Sequence, residues 1–132
     1  MISDKKRKDA LLVMANDVIS NTQDVCKNGV IESESFNGQI AAFPVAVAMS
    51  GLKTAMALYY SDTAKSKINK KVIISLLAKM YSKDKGVNIS RDDFFKKVIE
   101  TEAHEEPALR KNIIEYSIAL KLAIRTFKFK ES

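Results

Sequence analysis

The sequence predicts an all-α protein. Ala, Leu, Ile, Lys and Glu dominate a chain of 132 residues in which 46% are hydrophobic and 29% charged, an ordinary globular balance that leans helical. Its 4 glycines and 2 prolines supply less turn chemistry than a sandwich or barrel of this length needs, and no period-two alternation runs along it. The expected architecture is a single-domain bundle, residues 1–132, of about five to six helices with a proline/glycine bend in the central helical segment. A chain of this size buries one core without staples.

Ser3 suits the cap of a first helix reaching to about Lys27, with Leu11, Met14, Ala15, Val18, Ile19 and Val25 as its stripe. Asn28-Gly29 reads as its stop. A second helix starting near Ser33 places Phe36, Ile40, Phe43 and Val47 on one face, at spacings of four, three and four. From Phe36 to Leu52 no residue is charged, and Pro44 either kinks this helix or opens a new one at its first turn. Gly51 offers a bend or a close backbone approach, after which a third helix continues through Leu52 and Met56 to Tyr60. Ser61-Asp62-Thr63 stops it.

A fourth helix from about Ser66 buries Ile68, Val72, Ile73, Leu76, Leu77, Met80 and Tyr81, and Asp84-Lys85-Gly86 breaks it. Ser90 with Asp93 makes a capping-box-like start for a fifth helix, which buries Phe94, Phe95, Val98 and Ile99. After an acidic joint, Glu102 to Glu106, Pro107 suits the first turn of the last helix. Leu109, Ile113, Tyr116, Leu120, Ala123, Ile124 and Phe127 form its main apolar stripe. Ile114, Ile118 and Leu122 form a second, so this helix is either central in the bundle or partly covered by another chain.

No catalytic motif accompanies this pattern, and the chain reads as a non-enzyme with no metal and no cofactor. A single cysteine, Cys26, makes no internal disulfide and reads as a small buried side chain. His104, the one histidine, would be a general base only if a carboxylate oriented it. A solvated joint between two helices is the preferred account of it. Gly51-Leu52-Lys53-Thr54 looks like part of a phosphate loop but lacks the upstream glycine and the strand. Glu32 with Glu34, and Asp92 with Asp93, are better explained as helix-start acids than as metal ligands. The charged segment Met1 to Lys8 is not followed by an apolar stretch and a small-residue cleavage site, so no secretory signal is expected, and the uncharged run is too short and too polar to cross a bilayer. A cytoplasmic protein without a membrane role is expected.

Charge distribution says more than the total of +6. From Lys53 to Lys85 eight lysines stand against Asp62 and Asp84, which accounts for +6 by itself. In the last helix Arg110, Ser117, Lys121, Arg125 and Lys128 fall on one side, away from the main apolar stripe. Such surfaces track a polyanion through phosphate contacts; solvated, solubilising faces are the other reading. Tyr59, Tyr60 and Tyr81 are core aromatics before they are base stackers.

Pro44, six intervening residues, Gly51-Leu52 and then Met56-Ala57-Leu58-Tyr59 resemble the centre of the small helical subunit of the type III-B CRISPR Cmr complex, an RNA-guided RNA-targeting effector. The last helix, Tyr116 through Phe127, is similar to that family's closing amphipathic helix. The resemblance implies a non-catalytic subunit in antiviral defence. Its partners would be the other subunits of the Cmr complex, copies of itself, guide RNA and target RNA. The first helix and the two-sided last helix are the candidates for protein contacts. Candidates for RNA phosphate contact are Lys53, Lys65, Lys67, Lys70, Lys71, Lys121, Arg125 and Lys128. The alternative is a helical protein-interaction or adaptor bundle with no nucleic-acid role; an enzyme using His104 ranks last.

Overall fold

The computed structural model describes residues 4–62 and 69–130; the expected cap at Ser3, the helix start at Ser66, and Ile68 lie outside them. Among the described residues the elements are α1 (Asp4–Ser20), β1 (Cys26–Lys27), β2 (Val30–Ile31), α2 (Ser35–Ser50), α3 (Leu52–Tyr60), α4 (Lys71–Lys85), α5 (Arg91–Ile99), α6 (Glu106–Ile124) and β3 (Lys128–Phe129). The helical bundle is as expected. A small sheet of two-residue strands is added to it, in the order β1-β2-β3, antiparallel then parallel.

That sheet corrects the reading of the first helix, which ends at Ser20 and not near Lys27. Ser20 Oγ, Asn21 Nδ2 and Thr22 Oγ1 donate to the carbonyls of Asn16, Asp17 and Val18 at 2.8, 2.9 and 2.7 Å. Short polar side chains competing in this way for backbone groups bring a helix to a close. Asn28 and Gly29 then sit at φ 53° and 78° as the two central residues of a tight hairpin between β1 and β2, the geometry that favours Asn-Gly. Val25, expected on the helical stripe, is buried beyond the helix end.

Pro44 does not open a new helix: α2 runs through it from Ser35 to Ser50, even though proline has no N–H to offer the Ile40 carbonyl. Phe36, Ile40, Phe43 and Val47 are its buried face, as the spacing predicted. The bend falls at Gly51, whose φ of 87° and ψ of 162° belong to a region that only glycine enters freely. Tyr59 on α3 meets Phe43 edge-on at 5.1 Å and donates from Oη to the Gln39 carbonyl at 2.7 Å. α3 therefore folds back along α2.

The fourth helix starts at Lys71, where Asp62 accepts from Lys70 N at 2.8 Å and Asn69 Oδ1 accepts from Lys71 N at 2.7 Å. These two side chains satisfy donors that a helix start leaves open. Gly86, left-handed at φ 66°, closes α4, and Ser90 Oγ accepts from Asp93 N at 3.1 Å, the expected cap of α5.

α6 packs against α1, α2 and α4, with Ile113, Tyr116, Leu120 and Ile124 inaccessible to solvent. Its second apolar line divides: Ile114 packs on the core, whereas Ile118 and Leu122 remain 42% and 49% exposed. Arg7 reaches Glu115, and Leu12 shares a depression with Ile118 and Leu122, so α1 and α6 run parallel. Arg7 also reaches Asp84, and Lys79 reaches Thr22, so α4 runs against both. The start of α4 and the end of α6 consequently share one end of the bundle.

Candidate nucleic-acid interface

Two groups of candidate cations gather at that shared end. Lys70 and Lys71 stand at the start of α4, their Nζ atoms 5.5 Å from the Tyr59 ring centroid and 5.2 Å from that of Tyr60. Contacts of this kind hold a lysine stem in place while leaving the ammonium at the surface. Lys121 and the exposed Arg125 and Lys128 occupy the last turn of α6 and the entry to β3. β3 is itself anchored, since Lys130 N donates to the Ile31 carbonyl at 2.8 Å and Lys130 Nζ pairs with Glu32 at 3.6 Å.

Lys53 stands apart. It lies at the start of α3, and its ammonium donates to the Thr101 carbonyl at 2.8 Å, near the beginning of α6 and so at the other end of the bundle. Lys65 and Lys67 lie outside the described residues. The expected continuous basic side of α6 is interrupted. Ser117 is 1% exposed, with its hydroxyl on the Ile114 carbonyl at 2.8 Å, and Arg110 pairs with Glu106 at 3.1 Å. Ser117 falls on the packed side because α6 has neighbours on three helices, which the spacing of its charges did not reveal.

The tyrosines are structural. Tyr59 is 4% exposed, Tyr60 lies parallel to Phe95 with centroids 3.9 Å apart, and Tyr81 tilts onto Phe94. Phe95 covers one face of Tyr60 and Lys71 lies over the ring, so a base finds no open platform there. The Tyr60 hydroxyl donates to Asp92, which holds the Asp92 carboxyl below its usual range and raises the phenol. Asp92 is thus engaged by Tyr60 and by Arg91.

Sequence reasoning missed a polar cluster that joins three helices among the described residues. Arg7 on α1 donates to both Asp84 carboxylate oxygens at 3.1 Å and to Glu115 at 3.1–3.2 Å, and the buried Tyr116 donates its hydroxyl to Asp84. Burial and then the Asp84 carboxylate push the Tyr116 phenol well above its usual value. The carboxylates likewise hold Arg7 firmly charged. A lone arginine among the lysines of the N-terminal segment was the available signal, because a planar guanidinium suits two carboxylates at once.

His104 is 72% exposed, with its ring nitrogens 3.4 and 3.5 Å from Glu102 and Glu105. Cys26 is buried, and burial raises its thiol away from the reactive thiolate.

The helical bundle, its proline-bearing α2 and the glycine bend after it lie within the stretch that decides the family. The model of a family described as CRISPR-associated protein (Cas_Cmr5) matches residues 12–125. The chain belongs to the Cas_Cmr5 family. It is a Cmr small-subunit protein of type III-B CRISPR systems, and so a member of a multi-subunit complex. No curated protein and no solved structure matches it. The match covers α2, α3 and all of α6 together, so it agrees with the resemblance carried by Pro44, Gly51 and Met56. Among the described residues no helix of this Cas_Cmr5 protein is long and apolar enough to cross a membrane.

Proposed function

We propose that this Cas_Cmr5 protein is a non-catalytic, cytoplasmic subunit that helps a Cmr effector hold guide and target RNA in antiviral defence, stacking with copies of itself beside the other subunits. Family membership carries the reading. Physical support for an RNA role comes from the end of the bundle that holds the start of α4, with Lys70 and Lys71, and the end of α6, with Lys121 and, just beyond it, Arg125 and Lys128. An electrostatic track of this kind gains affinity by releasing counterions from phosphates, and it requires point charges more than fixed geometry. Lys65 and Lys67, candidates by sequence, precede Lys70 in the chain. Lys53, committed to Thr101 at the far end, stands outside this cluster. Leu12, Ile118 and Leu122, exposed side by side on α1 and α6, are the surface assigned to protein contacts.

The test is the salt dependence of single-stranded RNA binding. Lys121→Glu combined with Arg125→Glu is expected to weaken binding and to flatten the slope of log K against log salt by about 0.7 for each phosphate contact removed, with the thermal melt unchanged. An unchanged slope removes the end of α6 from the RNA surface. Absence of RNA affinity in both the isolated chain and the assembled complex would favour the adaptor reading, in which the lysines only confer solubility.

A further inference from the structure

Building on the RNA role just proposed, we infer that the cleft between the end of α1 and the exposed side of α4 receives one ribonucleotide of a single strand, with its phosphate on Lys79 and Arg91. The cleft has a volume of about 630 Å3, within the roughly 300–1,000 Å3 typical of small-ligand pockets. Three parts of the chain wall it: the end of α1 with the turn after it, the side of α4 from Val72 to Lys83, and the segment Asn88 to Arg91 that leads into α5.

Its charges are not equivalent. Lys83 is matched by Asp17 at 2.7 Å, and Arg91 lies 3.3 Å from Asp92, which also accepts from Tyr60. Lys79 instead extends its ammonium to the neutral hydroxyl of Thr22 at 2.8 Å, a partner that leaves a full positive charge for an incoming anion. The cleft therefore presents Lys79 as a cation facing no carboxylate among the described residues, Arg91 beside it with an Asp92 partner shared with Tyr60, and the carboxylate of Asp24, while Asp17 is held by Lys83.

This mixture selects among ligands. An acidic peptide segment would bring carboxylates against Asp24. A nucleotide keeps its negative charge at one end and offers neutral donors, the ribose hydroxyls and exocyclic amines, to acceptors at the other. Ser75 adds a hydroxyl oxygen that can accept from a 2′-OH, and the half-buried Val72 and Ile89 add apolar area against which a base face can lie. Val72 follows directly on Lys71, so a strand leaving the cleft along α4 runs onto the Lys70–Lys71 pair.

The experiment is an NMR titration of the full chain, following backbone amides, with a single-stranded octaribonucleotide, its deoxy counterpart and an oligo-aspartate peptide. RNA is expected to move the signals of Thr22, Ser75 and Ile89, and DNA to move them less. Lys79→Gln combined with Arg91→Gln is expected to lower RNA affinity about tenfold, the loss typical of one or two charge-assisted hydrogen bonds. If that variant fails to fold, the wild-type shift map decides alone. RNA-induced shifts confined to α6 and β3 would overturn the cleft assignment and leave the RNA role standing. No shift with RNA at any concentration would overturn both. Movement of the cleft signals by oligo-aspartate and not by RNA would make the cleft a protein-docking site and overturn the assignment.

Discussion

Asp84 read in sequence as part of a helix stop, yet its side chain, 9% exposed, is where α1, α4 and α6 are joined. Burial alone would push its carboxyl up. Hydrogen bonds from Arg7 and Tyr116 outweigh that and hold it below the usual carboxylate range. A carboxyl depressed in the folded state contributes stability that is complete above its unfolded value of about 3.9, and the contribution is lost as pH falls through the lower folded value. Asp84→Asn is therefore expected to cost about 1–3 kcal/mol near neutral pH, toward the lower figure because Arg7 is 30% exposed and partly screened. Urea unfolding at a series of pH values checks this, and the gap between wild type and variant should narrow below about pH 4. Equal stabilities at pH 7 would show that the cluster is a surface ornament.

At the scale of elements, two glycines in the same uncharged stretch should respond to alanine with opposite signs. Gly38 lies inside α2 at an ordinary helical conformation, with nothing within 4 Å of an added Cβ. Gly38→Ala should stabilise by about 0.5–1 kcal/mol through helix propensity. Gly51 also has open space for a Cβ, but its φ of 87° is foreign to other residues. Gly51→Ala should destabilise by about 1–3 kcal/mol through backbone strain alone. Paired thermal melts decide the matter; two stabilisations would mean that the α2–α3 bend does not depend on glycine. The bend was legible because glycine is a local signal. Its exact seat was not, since Pro44 and Gly51 were both credible and only helix packing shows α2 carried through the proline. Asn28-Gly29 misled for a related reason: the dipeptide ends helices and also turns hairpins, and here Cys26-Lys27 pairs antiparallel with Val30-Ile31, which in turn pairs with Lys128-Phe129 almost a hundred residues on.

The whole molecule combines an apolar surface on one part with a cationic end on another. Leu12 and Leu122, 40% and 49% exposed, border the same α1–α6 depression, and both lose little packing if made polar. Leu12→Glu combined with Leu122→Glu should change the unfolding free energy by about 1 kcal/mol or less while abolishing self-association in sedimentation velocity. A wild-type chain that stays monomeric at every concentration, alone and with its complex partners, would sink the stacking proposal. The overall charge of +6 is compatible with this arrangement because the surface assigned to contacts with copies centres on leucine and isoleucine, whereas the lysines of α4 and the end of α6 lie elsewhere.

Local chemistry made much of this protein readable without coordinates: the six helices from their apolar spacing, the cap at Ser90, the stop at Gly86, and the family from a proline, a glycine and the run after them. Each of these depends on neighbours a few residues apart, so the linear order carries it. Long-range pairing decided the rest. Ser117 is buried and Ile118 exposed because of which helices cover α6. Lys53 is parted from Lys70 because the start of α3 bonds the segment before α6 whereas its end, at Tyr59 and Tyr60, packs beside the start of α4. The Arg7–Asp84–Tyr116 cluster and the cleft beside Lys79 exist because α4 runs against α1. A side chain's partners across the fold are set by the directions in which helices pack, and no local spacing encodes those directions.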